Sequence, residues 1–336
     1  MLTLVSLAVL SACGGGGGGT THLPEISGAP AANTSGSAPS APSASARQAW
    51  TVDAGASHRD GALQGLDFYS STIVIDEGDS VTWTSASIHT VSFLTAGMSP
   101  FTAPPVPAGG STEDGSAFTS SGVLGPGQTY TLTFPKAGTY TYYCLLHPPE
   151  MVGQIIVQPA GTPYPHPQGY YTGQGNQQAN ADLSAAQSAI SLFPFERGGT
   201  MLAAGISPGL SNPPPSNSSV WRFLDTTNLT NTVTIPVNAT ITWVNESNNE
   251  PHTVTFPIAG QPLPPLPGDP FTPPMGIVQN GVNIYDGTQV TNSGPFGTAV
   301  GFPGNSYSLK FTKAGTYRYF CLFHDEFGME GTVVVQ

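Results

Sequence analysis

The chain has 336 residues, of which only 8% are charged, and its 8 Lys and Arg against 20 Asp and Glu give a formal net charge of −12. So few basic residues exclude the electrostatic footprint of a nucleic-acid-binding protein, and no apolar run of about 18 residues is present that would form a membrane-spanning helix. The 41 Gly and 33 Pro separate short runs of Thr, Val, Tyr and Phe, which is typical of many short strands joined by turns, and the length allows two domains.

The chain begins with a short apolar segment, residues 1–13, that ends in Leu10-Ser11-Ala12-Cys13. This ending resembles the lipobox of bacterial lipoprotein signal peptides, in which the cysteine becomes the lipidated first residue. The segment departs from that pattern because no Lys or Arg precedes it, and an incidental cysteine in an apolar tail is the alternative. Six glycines and a Ser-, Ala- and Pro-rich stretch follow, so residues 14–46 are predicted to be a disordered tether. We expect an exported lipoprotein on the periplasmic or cell-surface side, anchored by a lipid on Cys13.

An internal repeat organises the rest of the chain. Residues 127–158 (GQTYTLTFPKAGTYTYYCLLHPPEMVGQIIVQ) match residues 304–336 (GNSYSLKFTKAGTYRYFCLFHDEFGMEGTVVVQ) along their whole length, with one residue of difference between the His and the Met. Upstream, residues 71–93 also match residues 231–256. Self-similarity on this scale indicates a tandem duplication of one domain.

The duplication sets the expected boundaries. We predict domain 1 over residues 47–160 and domain 2 over residues 198–336, joined by a Pro-, Gly- and Gln-rich linker at residues 161–197. Helix signal is scarce. The best stretch, Ala181–Phe193, predicts one short helix outside the β-domains.

Within each repeat the side chains alternate as they do in β-strands. Each cysteine shares a strand face with two tyrosines: Tyr140, Tyr142 and Cys144 in the first repeat, and Tyr317, Tyr319 and Cys321 in the second. The Lys-Ala-Gly-Thr turn before each run fits a hairpin. We predict an all-β protein made of two tandem Greek-key β-sandwich domains.

Each repeat carries four candidate metal ligands in the same order: His89, Cys144, His147 and Met151 in the first, and His252, Cys321, His324 and Met329 in the second. Two imidazoles, a thiolate and a thioether are the ligand set of a type 1 copper site, in which the methionine sulfur binds weakly on the axis. This mixed, soft set suits both Cu(I) and Cu(II) and favours fast one-electron transfer. We therefore expect two copper ions, one per domain.

Both repeats resemble cupredoxins of the plastocyanin/azurin type. The second repeat contains the Cys-x2-His-x4-Met loop of that family, with His252 upstream in a Pro-His-x-Val context. The first repeat departs from it, because its loop is Cys-x2-His-x3-Met and contains Pro148-Pro149. The resemblance implies a cupredoxin sandwich in each domain, and the shorter loop makes the position of Met151 the point to check.

Two alternative roles for the cysteines are open. An immunoglobulin-like domain also places Tyr-x-Cys at a strand end, but it needs a second cysteine in each domain, and each repeat has one. A disulfide between Cys144 and Cys321 would join equivalent positions of two tandem domains, which is geometrically unfavourable.

The residues beside the ligands argue against an enzyme. In two-domain nitrite reductases and multidomain oxidases a histidine directly precedes the type 1 cysteine, and His-x-His pairs bind further copper. Here Tyr143 and Phe320 precede the cysteines, and the sequence contains no His-x-His. A filled His2CysMet site also offers no open coordination position for a substrate. We expect an electron carrier whose partners are redox proteins such as a cytochrome or a membrane oxidoreductase.

The resemblance also implies where electrons would pass. His147 and His324 would each break the surface inside an apolar patch suited to brief docking. The patch residues would be Leu145, Leu146, Pro148 and Pro149 in domain 1, and Leu322, Phe323 and Phe327 in domain 2. Hydrogen bonds should fix the ligand rings, and the candidates to supply them are the segments Asn245–Glu250 before His252 and Ser85–Ser87 before His89.

Copper storage or delivery at the cell surface is the alternative function, because it uses the same soft ligands. The Met-rich or His-rich tails that usually accompany that role are missing from the predicted tether. A structural surface module with vestigial sites is a third hypothesis, and the retention of both complete ligand sets argues against it.

Overall fold

Most of the regular secondary structure consists of β-strands in the computed structural model, which describes residues 46–59, 61–148, 151–192, 201–206, 217–225, 230–246, 250–262, 283–297 and 304–336. The strands of the first repeat are β1 (Ala49–Ser57), β2 (Leu63–Tyr69), β3 (Thr72–Asp76), β4 (Ser80–Ser85), β5 (Ser92–Phe93), β6 (Pro107–Ala108), β7 (Thr119–Ser121), β8 (Thr129–Thr133), β9 (Gly138–Tyr143) and β10 (Val152–Gln158). The strands of the second repeat are β11 (Met201–Ile206), β12 (Ser218–Asp225), β13 (Thr232–Ile235), β14 (Thr240–Glu246), β15 (Thr255–Phe256), β16 (Ile284–Tyr285), β17 (Thr291–Asn292), β18 (Ser306–Phe311), β19 (Gly315–Phe320) and β20 (Glu330–Val335). A helix, α1 (Gln168–Leu192), lies between the two sets.

Each repeat forms a sandwich of two β-sheet layers. One layer is a separate sheet in each repeat, with strand order β3-β10-β9-β5-β7-β6 in the first and β13-β20-β19-β15-β17 in the second. The other layer is shared, because a single nine-stranded sheet runs β16-β18-β14-β11-β12-β2-β1-β4-β8. The prediction of two tandem β-sandwich domains is confirmed, and all described residues belong to one compact unit.

The shared sheet crosses the domain boundary where β2 pairs antiparallel with β12. In this pair Leu63 lies opposite Val220, and Gly65 lies opposite Ser218. The ladder extends to the backbone N–H of Trp221, which donates to the carbonyl oxygen of Ala62 at 2.7 Å. Backbone hydrogen bonds therefore set the relative position of the two domains.

The alternating strands bury their apolar faces as the pattern predicts. On β4 and β14 the equivalent Trp83 and Trp243 are fully buried, and each packs edge-on against the tyrosine that lies two residues before a cysteine, Tyr142 or Tyr319. A Cβ atom at Gly153, which pairs with Tyr142, would lie 2.3 Å from the tyrosine ring. Glycine is therefore required there, because a side chain would occupy the space that the ring fills.

The linker differs from its prediction. Helix α1 has 25 residues and starts at Gln168, well before the predicted Ala181. Its first half contains three glycines, which weaken intrinsic helix propensity. Packing compensates, because a Cβ atom at Gly175 would lie 2.9 Å from the backbone of Tyr69, and the Tyr69 hydroxyl donates to Asp182 at 2.8 Å. Helix α1 therefore forms where glycine lets it approach the end of β2, a tertiary effect that periodicity does not reveal.

The predicted signal peptide, Cys13 and most of the predicted tether lie outside the described residues. In the part of the chain that the structure describes, no helix combines the length and apolar character that a membrane crossing requires.

Candidate metal centres

The first centre brings together His89, Cys144 and His147. Their candidate ligand atoms all lie within 4.8 Å of one another, and all three residues are buried. Cys144 directly follows β9, and the pairing of β9 with β5 brings His89 beside it. The Nδ1 atoms of His147 and His89 lie 3.4 Å and 3.9 Å from the Cys144 sulfur. Both rings therefore direct the same nitrogen at the sulfur, as ligands of one ion do.

The second centre repeats this arrangement with His252, Cys321 and His324. The Nδ1 atoms of His252 and His324 lie 3.6 Å and 3.5 Å from the Cys321 sulfur and 3.2 Å from each other. Both cysteines are free thiols, so the disulfide alternative is excluded. A sulfur and two imidazole nitrogens converge in each domain, which is a soft donor set that fits copper.

The predicted fourth ligands, Met151 and Met329, are fully buried beside the two groups. The backbone N–H of Cys144 donates to Met151 O at 3.0 Å, and that of Met151 donates to His147 O at 3.1 Å. The second domain has the same two bonds, from Cys321 to Met329 O at 3.0 Å and from Met329 to His324 O at 3.1 Å. The shorter loop of the first domain therefore begins and ends in the same backbone positions, and ligation by the two sulfurs remains a prediction.

Threonine follows the first histidine in both domains and holds the sulfur. The backbone N–H groups of Thr90 and Thr253 donate to the sulfurs of Cys144 and Cys321 at 3.3 Å and 3.4 Å. The Thr90 hydroxyl also accepts the N–H of Leu145, the residue after the cysteine, at 2.7 Å. These threonines are not among the residues predicted from the sequence, although the shared His-Thr-Val of both repeats is a signal that would have identified them.

The first histidine of domain 1 is held from two sides. The Ser87 hydroxyl lies 2.9 Å from His89 Nε2, and the Ser85 hydroxyl donates to Ser87 O at 3.0 Å. On the other side, a Cβ atom at Gly55 would lie 2.0 Å from His89 Nε2. The prediction that Ser85–Ser87 positions His89 is confirmed, because these contacts fix the ring from its Nε2 edge.

In domain 2 the position equivalent to Ser87 is Glu250, a carboxylate that is only 4% exposed. One oxygen, Oε2, accepts the hydroxyl of Ser219 at 2.6 Å, and the other, Oε1, accepts the indole N–H of Trp221 at 2.7 Å. The same Oε1 lies 3.5 Å from Nε2 of His147 and 3.8 Å from Nε2 of His324. The segment Asn245–Glu250 is predicted to hold His252, whereas its Glu250 carboxylate reaches His147 of domain 1 and His324 of domain 2.

The expected surface position of His147 and His324 is wrong. Their exposed fractions are 7% and 5%, and His324 stacks on Trp221 with ring centroids 4.2 Å apart. The two ligand loops face each other because β2 and β12 join the domains beside them. Of the predicted patch residues that the structure describes, those buried are Leu145, Leu322, Phe323 and Phe327. Pro149 lies outside the described residues. Ile88 and Leu146 of domain 1 pack into the apolar core of domain 2, so the two patches cover each other.

Glu250 also shifts the pKa values of the histidines around it. Burial alone would raise its pKa, but contact with His147 and the charges of the neighbouring histidines hold the pKa well below its usual range. Burial likewise opposes protonation of His147, yet the Cys144 thiolate and Glu250 outweigh it and raise the pKa of His147 to about 10. At His252 burial outweighs the attraction of Glu250 and lowers the pKa to about 4. The Cys144 thiolate and the Glu250 carboxylate together stabilise the His147 imidazolium.

Comparison with known proteins agrees with this chemistry. The sequence profile of the family described as "Copper binding proteins, plastocyanin/azurin family" matches residues 56–158 and 226–336. Plastocyanin from Scenedesmus fuscus is 35% identical over 104 residues, which cover 31% of this chain and 81% of that protein. Chloroplastic plastocyanin from Tetradesmus obliquus is 32% identical over 105 residues, covering 31% of this chain and 55% of that protein. Among solved structures, the Cu(I) form of an amicyanin point mutant is 27% identical, covering 35% of this chain and 92% of its own, with a TM-score of 0.24.

Proposed function

Since the chain belongs to the plastocyanin/azurin family of copper-binding proteins, we propose that each domain holds one type 1 copper ion and that the protein transfers single electrons between redox partners. One observation supports this most strongly. In each of two separate places, two Nδ1 atoms and one sulfur converge inside the protein, next to a buried methionine.

The residues present fit copper in kind and in arrangement. The thiolates of Cys144 and Cys321 would bind the ion strongly, the paired histidines would supply two imidazole nitrogens to each ion, and Met151 and Met329 would be the weak fourth ligands. Copper held in this way supplies a one-electron couple that changes its geometry little between oxidation states. The protein contributes a fixed donor set, because backbone N–H groups hold both sulfurs.

Electron transfer is favoured over catalysis. The ligand residues of both sites are buried, so a substrate would have to displace protein to reach an ion, whereas metal enzymes keep an open coordination position. Copper storage or delivery remains the second candidate. It predicts easy loss of copper to a chelator, whereas the carrier predicts retention through repeated oxidation and reduction.

The test is an optical and EPR titration of the full chain with Cu(II), alongside Cys144→Ser and Cys321→Ser. Two type 1 sites should give an intense thiolate-to-copper band that saturates at two equivalents, and each variant should lose half of it. A weak band with ordinary Cu(II) EPR would contradict the proposal. Cyclic reduction and reoxidation in the presence of a Cu(I) chelator then separates a carrier from a delivery protein.

We also propose that the protein is exported and anchored to the membrane by a lipid on Cys13, on the strength of the Leu-Ser-Ala-Cys sequence alone. Replacing Cys13 with Ala in the producing cell should then move the protein from the membrane fraction to the soluble one. Unchanged membrane association in this variant would contradict the anchor.

A further inference from the structure

Glu250 is a polar group that the two candidate sites share. Its Oε1 atom lies close to Nε2 of both His147 and His324, which belong to different domains. In each of these rings the other nitrogen, Nδ1, faces the cysteine sulfur. When Nδ1 is used as a ligand, the neutral ring carries its proton on Nε2 and presents an N–H to the carboxylate.

Contacts within domain 2 hold the Glu250 carboxylate in place. Trp221 and Ser219 both lie on β12, and they donate to different oxygens of Glu250. The backbone of Glu250 is also held, because the Asn245 side chain donates to its carbonyl oxygen at 2.8 Å. A buried carboxylate is costly unless donors surround it, and here the donors come from a strand at the domain junction.

The two repeats differ at this position in the reach of the side chain. In domain 1 the equivalent residue is Ser87, whose hydroxyl contacts His89 within its own domain. In domain 2 the longer side chain of Glu250 extends across the junction to His147. Of the two equivalent residues, only that of the second repeat therefore carries a charge.

From this geometry we propose that Glu250 is a positioning residue of both metal sites, and that through it the two domains act as one coupled two-centre unit. The proposal rests on the proposed function, because it assumes copper in both sites. Glu250 orients the imidazole of His147, and it places one negative charge beside both His147 and His324. Oxidation of either site adds a positive charge next to the same carboxylate, so the charge state of one site affects the other.

The sign of the effect follows from the charge. A negative group near a copper ion stabilises Cu(II) relative to Cu(I) and lowers the reduction potential. Replacing Glu250 with Gln keeps one oxygen that can accept the Trp221 N–H and presents an NH2 group to the Ser219 hydroxyl, which can accept it. The charge is removed, so the potentials of both sites should rise. Because partners that orient ligands typically contribute about 10- to 100-fold to metal affinity, copper binding at the domain 1 site should weaken by a factor in that range.

The experiment measures each site alone. Cys321→Ser leaves only the domain 1 site, and Cys144→Ser leaves only the domain 2 site. Glu250→Gln is added to each background, the potential is determined by optical redox titration, and the Nε2–H resonance of the remaining His147 or His324 is followed by NMR in the diamagnetic Cu(I) form. The matched control is Glu113→Gln, which neutralises another buried carboxylate whose contact is with Gly115.

A rise in potential and a shifted Nε2–H resonance at the domain 1 site would establish the coupling, because Glu250 belongs to domain 2. A change confined to the domain 2 site, or equal changes with Glu113→Gln, would overturn it and leave Glu250 as a structural residue of its own domain. If neither single-site protein shows a blue band before Glu250 is changed, the proposed function itself fails. If Glu250→Gln does not fold, the coupling is tested without it. The potential of the domain 1 site is then measured in the protein with copper in both sites and in Cys321→Ser. Equal potentials would contradict coupling.

Discussion

His147 lies 3.5 Å from Glu250, although the two residues belong to different domains. Glu250 is held by two residues of β12, and β12 pairs with β2 of the first domain. A ligand of the first metal site is therefore supported by the same strand that joins the domains. Any change that moves β12 relative to β2 should consequently reach both metal centres.

Phe327 should contribute to stability and not to partner docking. It is 9% exposed, packs edge-on against Trp221 with ring centroids 4.9 Å apart, and its carbonyl lies beside Gly61 of the first domain. Phe327→Ala should lower the free energy of unfolding by about 3 kcal/mol. Phe101→Ala, at a phenylalanine that is 63% exposed, is the control and should change it by less than about 0.5 kcal/mol. Urea unfolding of the copper-free protein measures both, and equal effects would mean that Phe327 lies on the surface.

We expect glycine at position 55 to be required for copper binding by His89. A methyl group there would collide with Nε2, and Gly55 also has a φ of 78°. Gly97 has a similar φ of 88° but no neighbour within 4 Å of an added Cβ atom. Gly97→Ala therefore introduces the same backbone strain without a steric collision. We expect Gly55→Ala to weaken copper binding at the domain 1 site by about 10- to 100-fold, with the domain 2 site and Gly97→Ala unaffected. Competition with a chelator gives the affinities, and equal behaviour of the two variants would contradict the steric argument.

We expect Ser87 to affect the spectroscopic properties of the domain 1 copper site and not those of the domain 2 site. Its hydroxyl lies at hydrogen-bond distance from His89 Nε2, so Ser87→Ala frees the ring to rotate and should change the absorption and EPR parameters of that site. The domain 2 site, measured in Cys144→Ser, should keep its parameters in the presence of Ser87→Ala. Ser116→Ala, at an exposed serine, is the control. An unchanged spectrum of the domain 1 site would show that Gly55 and the fold suffice to hold His89.

Asp67 should make stability depend on pH. It lies on β2 and accepts hydrogen bonds from the Phe68 backbone, Gln178 of α1 and Asn217, and burial raises its pKa from 3.8 to about 7. The folded state therefore keeps a proton between these two pKa values that the unfolded state releases, so stability decreases as the pH rises from about 4 to 7. Asp67→Asn should remove this loss and be more stable than the unmodified protein at pH 8 by about 2 to 4 kcal/mol.

Unfolding curves at pH 5 and pH 8 test this prediction. The unmodified protein should lose stability between the two, and Asp67→Asn should lose much less. The measurement is made on copper-free protein, so that metal release does not contribute. A parallel loss in both proteins would place the pH dependence elsewhere.

The sequence by itself determined the fold class, the duplication and the two ligand groups. Strand alternation placed each cysteine on a buried face behind two tyrosines, and equivalent residues in two repeats identified the His, Cys and His side chains that converge in each domain. These inferences succeeded because they depend on local periodicity and on the chemistry of a ligand set, and both are carried by residues close together in the chain or repeated along it.

The tertiary structure decided how the two domains meet. The pairing of β2 with β12 turns the ligand loops toward each other, buries His147 and His324, and converts the expected docking patches into an interface. No residue pattern within one repeat specifies the edge at which two sandwiches join, because that choice depends on contacts between distant segments. Glu250 shows the same limit: its place before His252 marks it as a candidate, but only the junction brings His147 within its reach.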